Sequence, residues 1–213
     1  MTITFDKLHQ ELQKQYYAEL DFPISRSILE EAAQAFFAFL EEPDEVKKYI
    51  DFSISDKHRR GDVGYKHRHG NNRKYEDNKD FFHFHPALFK RYKTFLDNHV
   101  VVKDFMLKAL PIWQCAYDQI QAVLATLEER YPNLLNRVLN TDTPHVLVRF
   151  LRYDWQESGL YLAKPHFDCG SFTLAIAESD PGLRIGSCPE DLKPIKQHEQ
   201  KAILMLSSNF QMN

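Results

Sequence analysis

The sequence predicts an α+β fold in which helices come first and antiparallel strands follow. Glycine is absent from the first sixty residues, and residues 86–139 are again free of glycine and rich in helix formers, which favours helices in both stretches. After Pro144 the chain changes to short β-branched or apolar runs separated by Gly, Pro, Ser and Asp. This order indicates a helical layer followed by a sandwich-like β core.

The predicted helices are marked by capping signals and by apolar spacing. Ser27 and Glu30 have the spacing of a capping box, and Pro43 follows the end of an apolar stripe formed by Leu29, Ala33, Phe36, Phe37 and Leu40. The stretch after Pro86 predicts two helices, or one helix kinked at Pro111. Its stripe contains Phe95, His99, Val102, Phe105, Met106, Ile112, Cys115, Ile120, Val123 and Leu127.

The segment 51–84 has a different composition. His, Arg, Lys, Asn and Asp dominate it, and it holds three of the seven glycines, which predicts a long loop or a lid that carries function. The pairs His67 with His69 and His83 with His85 lack cysteine or carboxylate partners at zinc-finger spacing, so a solvated, substrate-facing role is favoured over metal binding. Three strands are predicted later in the chain, at residues 146–153, 172–177 and 202–206.

Length and composition predict one domain over residues 1–213. Its helical and lid part covers about 1–143, and its β part begins at about 144. The net charge of -3 gives no electrostatic reason to expect nucleic acid. No apolar stretch reaches membrane-spanning length, and no leader-like run opens the chain. Three cysteines without a Cys-x-x-Cys pair suit a reducing compartment, so we expect a cytoplasmic protein. From the charge and the apolar runs we expect neither a membrane nor a nucleic-acid partner.

An imidazole and a carboxylate lie two residues apart at His166 and Asp168. In an extended segment these two side chains point the same way, while Phe167 points to the other side. A neutral imidazole and a carboxylate are two of the three protein ligands of a non-haem Fe(II) oxygenase site, and the third is another histidine. Alone, the pair is weak evidence, because most exposed His and Asp residues are simply solvated.

Three blocks around this pair resemble a known family. Residues 147–155 read Leu-Val-Arg-Phe-Leu-Arg-Tyr-Asp-Trp, residues 170–174 read Gly-Ser-Phe-Thr-Leu, and residues 181–185 read Pro-Gly-Leu-Arg-Ile. In this order, with His166 and Asp168 between the first two, they resemble the Fe(II)/2-oxoglutarate-dependent oxygenases. The nearest branch contains isopenicillin N synthase and the plant flavonoid and hormone dioxygenases.

The resemblance implies a double-stranded β-helix, or jelly roll, with Fe(II) held by His166 and Asp168. Tyr153 aligns with the tyrosine that contacts the cosubstrate 2-oxoglutarate, although a core aromatic is the alternative for this position. The expected reaction uses dioxygen, converts 2-oxoglutarate to succinate, and hydroxylates or desaturates a C–H bond of a small molecule. Substrate contacts are expected in the lid, whose cations suit an anionic substrate, at Tyr65, Arg68 and Phe82.

One departure from the family pattern concerns the third histidine ligand and the arginine that pairs with 2-oxoglutarate. We expect both beyond residue 213, because the later histidine His198 lies in a polar stretch typical of a turn. Two alternatives stay open: a catalytically degenerate jelly-roll binding protein, and an iron-dependent oxidase that does not use 2-oxoglutarate. Nucleic-acid modification is a weaker third alternative, since the basic run lies in the predicted lid.

Overall fold

The computed structural model describes residues 3–54, 62–68, 78–139, 144–154 and 162–211. The chain divides into two compact units, one formed by Met1–Arg26, Cys115–Asn140 and Pro165–Asn213, the other by Ser27–Gln114 and Thr141–Lys164. Both units combine helices with antiparallel strands, so the mixed helix and antiparallel-sheet structure agrees with the α+β prediction. No helix in the described ranges is long and apolar enough to cross a membrane.

The first unit is built on a three-stranded antiparallel sheet. Strand β1 (Tyr17–Asp21) follows helix α1 (Phe5–Gln15) and pairs along its length with the late strand Lys201–Leu206, which also pairs with Phe172–Ala175. The sheet therefore joins the two ends of the chain. Alternating residues of β1 and the middle of the late strand are buried, which fixes the register. The buried residues are Ala18, Leu20, Ala202, Ile203 and Leu204.

The second unit contains a four-stranded antiparallel sheet. Its strands are β2 (Asp51–Phe52), β3 (Val63–Arg68), β4 (Lys79–Phe84) and β5 (Val148–Tyr153), in the order β2-β3-β4-β5. Glycine is required at one position of this sheet. Gly64 has φ +123°, and a Cβ there would clash with the carbonyl oxygen of Ile50.

One face of the four-stranded sheet packs against helices. Helix α2 (Arg26–Leu40) contributes Phe36 and Phe39, and the helix that begins at Val100 contributes Phe105. Their rings contact the strand residues Phe82 and Phe150, with centroid separations from 4.9 to 5.8 Å. Full burial of a phenylalanine side chain stabilises a fold by about 1.5–3 kcal/mol, so this aromatic cluster fixes which face of the sheet is internal.

The remaining elements complete the chain order. Helices α3 (Asp44–Lys47), α4 (Ala87–Arg91) and α5 (Lys93–Asn98) precede α6 (Val100–Glu128), which is followed by α7 (Leu134–Leu139). After β5 come β6 (Phe172–Ala175), β7 (Arg184–Ile185), β8 (Lys193–Pro194), β9 (Lys201–Leu206) and α8 (Ser208–Gln211). Strands β7 and β8 pair with each other.

The structure corrects several predicted elements. The segment 51–84 is not a continuous loop or lid, because it contributes β2, β3 and β4. Of the two alternatives predicted around Pro111, the structure has the single helix, because α6 includes this proline. Helix α2 begins at Arg26, so Ser27 lies in its first turn and not at the cap. The strands predicted at 146–153, 172–177 and 202–206 are confirmed as β5, β6 and β9, with bounds shifted by one or two residues.

Candidate active site

The predicted metal-binding pair lies in the first unit, in an extended segment just before β6. His166 Nε2 is 3.4 Å from Asp168 Oδ1, so the two side chains point the same way. Phe167, between them, is exposed. The side chain of His166 is 59% exposed and that of Asp168 is 38% exposed, so both donor atoms are accessible from solvent.

The backbone of this segment is held by the end of β9. Ser208 N donates to Asp168 O at 2.9 Å, and Ser207 N donates to Ser171 O at 3.0 Å. The Ser207 hydroxyl is fully buried and lies 2.8 Å from Thr173 Oγ1. These bonds tie the pair to the β6–β9 ladder, so a rigid sheet fixes its position.

The donor set fits two positions of a facial Fe(II) site. A neutral imidazole nitrogen and a carboxylate oxygen are the ligand types that non-haem Fe(II) takes. Within the described ranges no group of three or more His, Cys, Asp or Glu residues could hold a metal ion. His198 does not complete the set: its Nδ1 is 3.0 Å from Glu19 Oε2, and it precedes β9, whereas Asp168 contacts Ser208 after β9. A six-residue strand separates the two ends by about 20 Å.

Tyr153 and Arg68 lie in the second unit, on the face of the sheet that points away from the aromatic cluster. Tyr153 is the last residue of β5 and is paired with Lys79 of β4. The ammonium of Lys79 lies 5.5 Å from the centroid of the Tyr153 ring. It is also 5.9 Å from the ring of Phe81, and the guanidinium of Arg68 is 5.8 Å from that same ring.

Arg149 joins this face from β5. Its guanidinium carbon is 5.6 Å from the Phe81 ring, and its Nε donates to His83 Nε2 at 2.7 Å. His83 Nδ1 in turn donates to Asp62 O at 2.8 Å, which fixes the tautomer. Burial, together with the charge of Arg149, lowers the pKa of His83 from 6.5 to about 4. His83 is therefore a neutral acceptor at neutral pH.

The opposite face carries a polar cluster around Asp80. Its carboxylate accepts hydrogen bonds from Tyr65 Oη at 2.6 Å, from His67 Nδ1 at 2.6 Å and from Arg152 at 2.7 Å. Burial acts to raise the pKa of Asp80, but these three donors outweigh it and the pKa is lowered. Burial and the bond to Asp80 raise the pKa of Tyr65 well above its ordinary value. The cluster lines a polar cavity of about 180 Å³.

The predicted substrate residues are therefore divided between two faces. Arg68 lies on the Phe81 face, while Tyr65 is bonded to Asp80 on the other and Phe82 is 0% exposed within the aromatic cluster. A fully buried ring presents no surface to a substrate, so Phe82 has a packing role. Sequence reasoning missed Lys79, Phe81 and Arg149. Their signal was the period-two alternation of β4 and β5: β5 was predicted as a strand, but the loop-like composition of 51–84 hid its partner β4.

Comparisons with known proteins show the fold and no closer relationship. No family model and no curated protein matches the chain. Among solved structures, a protein assigned as an oxygenase from Shewanella oneidensis is similar over 97% of this chain, with a TM-score of 0.63 and 17% identity. A protein assigned to the 2OG-Fe(II) oxygenase family from Caulobacter crescentus is similar over 95%, with a TM-score of 0.60 and 16% identity.

A third similar structure is that of a full-length protein from Neurospora crassa in complex with alpha-KG, which is 2-oxoglutarate. It is 16% identical, with a TM-score of 0.58 over 96% of this chain. The same protein is also known with 5-formyluracil bound. The chain has the fold of 2OG-Fe(II) oxygenases. It spans 73%, 68% and 66% of the length of the Shewanella, Caulobacter and Neurospora chains, respectively.

Proposed function

We propose that this protein is a non-haem Fe(II)- and 2-oxoglutarate-dependent oxygenase that oxidises a C–H bond of a small molecule. The observation that carries the proposal is the pair of His166 and Asp168, whose donor atoms lie 3.4 Å apart beside β6 in a chain with this fold. Its subfamily within the fold is proposed to be that of isopenicillin N synthase, on the strength of the three sequence blocks alone.

The two residues have distinct roles in this proposal. His166 supplies the imidazole nitrogen Nε2 and Asp168 supplies a carboxylate oxygen to Fe(II), and the Ser208 bond to the Asp168 carbonyl holds this backbone against the end of β9. The third ligand is not among the described residues. When bound, Fe(II) and 2-oxoglutarate supply the activation of dioxygen, which couples the release of CO₂ and succinate to oxidation of the substrate.

Tyr153 is proposed to hold 2-oxoglutarate. Its phenol can donate a hydrogen bond to a carboxylate oxygen of the cosubstrate, and its ring can pack on the carbon chain. The neighbouring ammonium of Lys79, 5.5 Å from the ring centroid, favours a negative charge at this end of β5. In this proposal Tyr153 orients the cosubstrate, and the positive charge of Lys79 attracts its carboxylate.

The test is formation of succinate from 2-oxoglutarate under air, with and without Fe(II). We expect succinate from the wild-type protein with Fe(II), and none above the protein-free background from His166→Ala or Asp168→Ala. His198→Ala is the matched control, because this histidine belongs to the same unit but pairs with Glu19 at the other end of β9. Succinate formation that survives both ligand substitutions would rule out the assignment of His166 and Asp168.

A second candidate is a binding protein that keeps the fold without turnover. It is favoured by one observation: the described residues supply two metal donors and not three. In this case Fe(II) and 2-oxoglutarate bind weakly or not at all, and no succinate forms under any condition. An iron-dependent oxidase is distinguished from both by dioxygen uptake that requires Fe(II) and ignores 2-oxoglutarate.

A further inference from the structure

The polar cavity beside Asp80 lies wholly in the second unit, on the face of the sheet opposite Tyr153. It is lined by Leu40 at the end of α2, by residues in and just after α3, and by residues of β3, β4 and β5. Its volume is about 180 Å³. A water molecule takes about 30 Å³ in the liquid, and pockets for drug-sized ligands measure roughly 300–1,000 Å³. A ligand that fills this cavity is therefore small.

Lysine and arginine side chains outnumber carboxylates around this cavity. Lys47, Lys48 and Arg152 line it together with the carboxylates Asp44 and Asp80. Arg152 is 2.7 Å from Asp80 Oδ2, so these two charges offset each other. The two ammonium groups share the other carboxylate: Lys48 Nζ is 2.6 Å from Asp44 Oδ2, and Lys47 Nζ is 3.3 Å from Asp44 Oδ1. Among the described residues that line the cavity, one positive charge therefore has no carboxylate of its own.

Lys47 is the lysine of this group that is shielded from water. Its side chain is 14% exposed, whereas Lys48 is exposed. Its Nζ donates to the Leu40 carbonyl at 3.1 Å and lies 5.5 Å from the centroid of the Tyr65 ring. These two partners are uncharged, so they hold the ammonium at the cavity without offsetting its charge. Because electrostatic attraction is stronger where water is excluded, this ammonium is the strongest single attraction for an anion here.

The buried carboxylate of the cavity, Asp80, is already engaged by hydrogen-bond donors. Tyr65 Oη and His67 Nδ1 contact its Oδ1, and Arg152 donates to its Oδ2. With three donors on it, this carboxylate opposes an incoming anion less than a bare one would. The bond to Asp80 uses Nη2 of Arg152, and a guanidinium has five N–H donors. Asp80 thus fixes the guanidinium at the cavity and leaves it further donors.

From this arrangement we infer that the cavity binds a small tetrahedral oxyanion of the phosphate type, held by Lys47, Lys48 and Arg152. A planar carboxylate is matched best by the fork of one arginine. Here the donors are two separate ammonium groups beside α3 and a guanidinium from β5, which suit an anion whose oxygens point in several directions. The site requires neither Fe(II) nor 2-oxoglutarate, so the inference goes beyond the proposed oxygenase and does not depend on it.

The test is the binding of inorganic phosphate, measured by calorimetric titration at an ionic strength held constant with sodium chloride. Metal-free protein is used, because Fe(II) would itself bind phosphate. We expect saturable binding of one phosphate per chain. Sulfate, which has the same shape, should displace it, and acetate at the same concentration should displace it far less. Absence of saturable binding, or displacement by acetate as strong as that by sulfate, would overturn the inference.

Lysine substitutions locate the binding to this cavity. Lys47→Met should weaken phosphate binding about tenfold, the effect of losing one shielded charge-assisted hydrogen bond. Lys48→Met should weaken it about threefold to fivefold, and because Lys48 is exposed, this variant tests the site even if Lys47→Met does not fold. Lys93→Met is the matched control: Lys93 and Lys103 also share one carboxylate, Asp97, but Lys93 is 79% exposed and does not line the cavity. Equal losses in Lys48→Met and Lys93→Met would overturn the inference, since they would reflect net charge alone.

The opposite change provides a second test, in which binding should become tighter. Asp44→Asn removes the carboxylate that Lys47 and Lys48 share, so phosphate should bind about threefold to fivefold more tightly. Asp97→Asn makes the same change of charge beside Lys93 and should leave binding within about twofold. Unchanged or weaker binding in Asp44→Asn, or an equal gain in both variants, would overturn the inference.

Discussion

Lys79 and Tyr153 face each other across β4 and β5, with the Lys79 ammonium 5.5 Å from the centroid of the Tyr153 ring. The next residue of β4, Asp80, points to the other face and accepts a hydrogen bond from Tyr65. Consecutive residues of β4 thus place a cation on one face of the sheet and a carboxylate on the other. One face carries Lys79 and the tyrosine proposed to bind 2-oxoglutarate, and the other carries the polar cluster around Asp80.

Removal of the Tyr153 hydroxyl should weaken 2-oxoglutarate binding. In Tyr153→Phe the ring remains but the donor to the cosubstrate carboxylate is lost, so the KM for 2-oxoglutarate should rise about tenfold or more. Steady-state succinate formation at varied 2-oxoglutarate measures it. Tyr131→Phe, at an exposed tyrosine, is the control and should behave as wild type. An unchanged KM in Tyr153→Phe would leave this residue as a core aromatic.

The corresponding change on the other face should affect stability. Tyr65→Phe removes the hydroxyl that donates a hydrogen bond to Asp80 Oδ1 at 2.6 Å. Loss of this bond should lower the free energy of unfolding by about 1–3 kcal/mol. Denaturant unfolding measures this loss. The KM for 2-oxoglutarate should stay unchanged, and a raised KM with unchanged stability would contradict the division of roles between the two faces.

Phe82 should behave as a core residue. Phe82→Ala removes a fully buried ring from the cluster with Phe39 and Phe105, and should lower the free energy of unfolding by about 3–5 kcal/mol. Phe37→Ala is the matched control in α2. Because the Phe37 side chain is 48% exposed, its removal should lower the free energy of unfolding far less. Similar losses in the two variants, measured by denaturant unfolding, would contradict the assigned packing.

The free energy of unfolding should fall when the pH drops below about 6.5. Burial lowers the pKa of His83 to about 4 in the folded protein, against 6.5 as the ordinary value, so between these pH values the unfolded chain binds more protons. The stabilisation is complete above pH 6.5 and is lost as the pH approaches 4. Between pH 7 and pH 5 the loss should be about 1–2 kcal/mol.

His83→Asn isolates this contribution. The amide can still donate to Asp62 O but has no group that titrates in this range, while the buried His85, whose pKa is also lowered by burial, remains. Denaturant unfolding at several pH values should therefore give a shallower decline in the variant. Identical pH profiles for the wild type and His83→Asn would show that His83 titrates normally.

Local patterns predicted the elements whose stability depends on local sequence. The apolar stripes predicted helices where α2 and α6 lie, and the β-branched or apolar runs predicted the strands β5, β6 and β9. Strand β1 was missed because its partner, β9, lies at the far end of the chain, and pairing at that distance leaves no mark on the local sequence. Strands β3 and β4 were missed because Lys66, Arg68, Lys79 and His83 fill one face and give the segment the composition of a loop.

The candidate site was predictable to a similar extent. The spacing of His166 and Asp168 is a local feature, so the sequence was sufficient to bring them together. The grouping of Arg68, Lys79 and Arg149 around Phe81 depends on the register of three strands, which only the structure supplies. The same register separates Tyr65 and Phe82 from Arg68, although all three were predicted as substrate contacts.

The most direct test of the proposed oxygenase is an anaerobic titration of metal-free protein with Fe(II) and then with 2-oxoglutarate, followed by visible absorption. Bidentate chelation of Fe(II) by 2-oxoglutarate gives a weak charge-transfer band. We expect the band in the wild-type protein and in His198→Ala, and its loss in His166→Ala and in Asp168→Ala. Absence of the band in the wild type, or its persistence in both ligand variants, would contradict the assignment of this site.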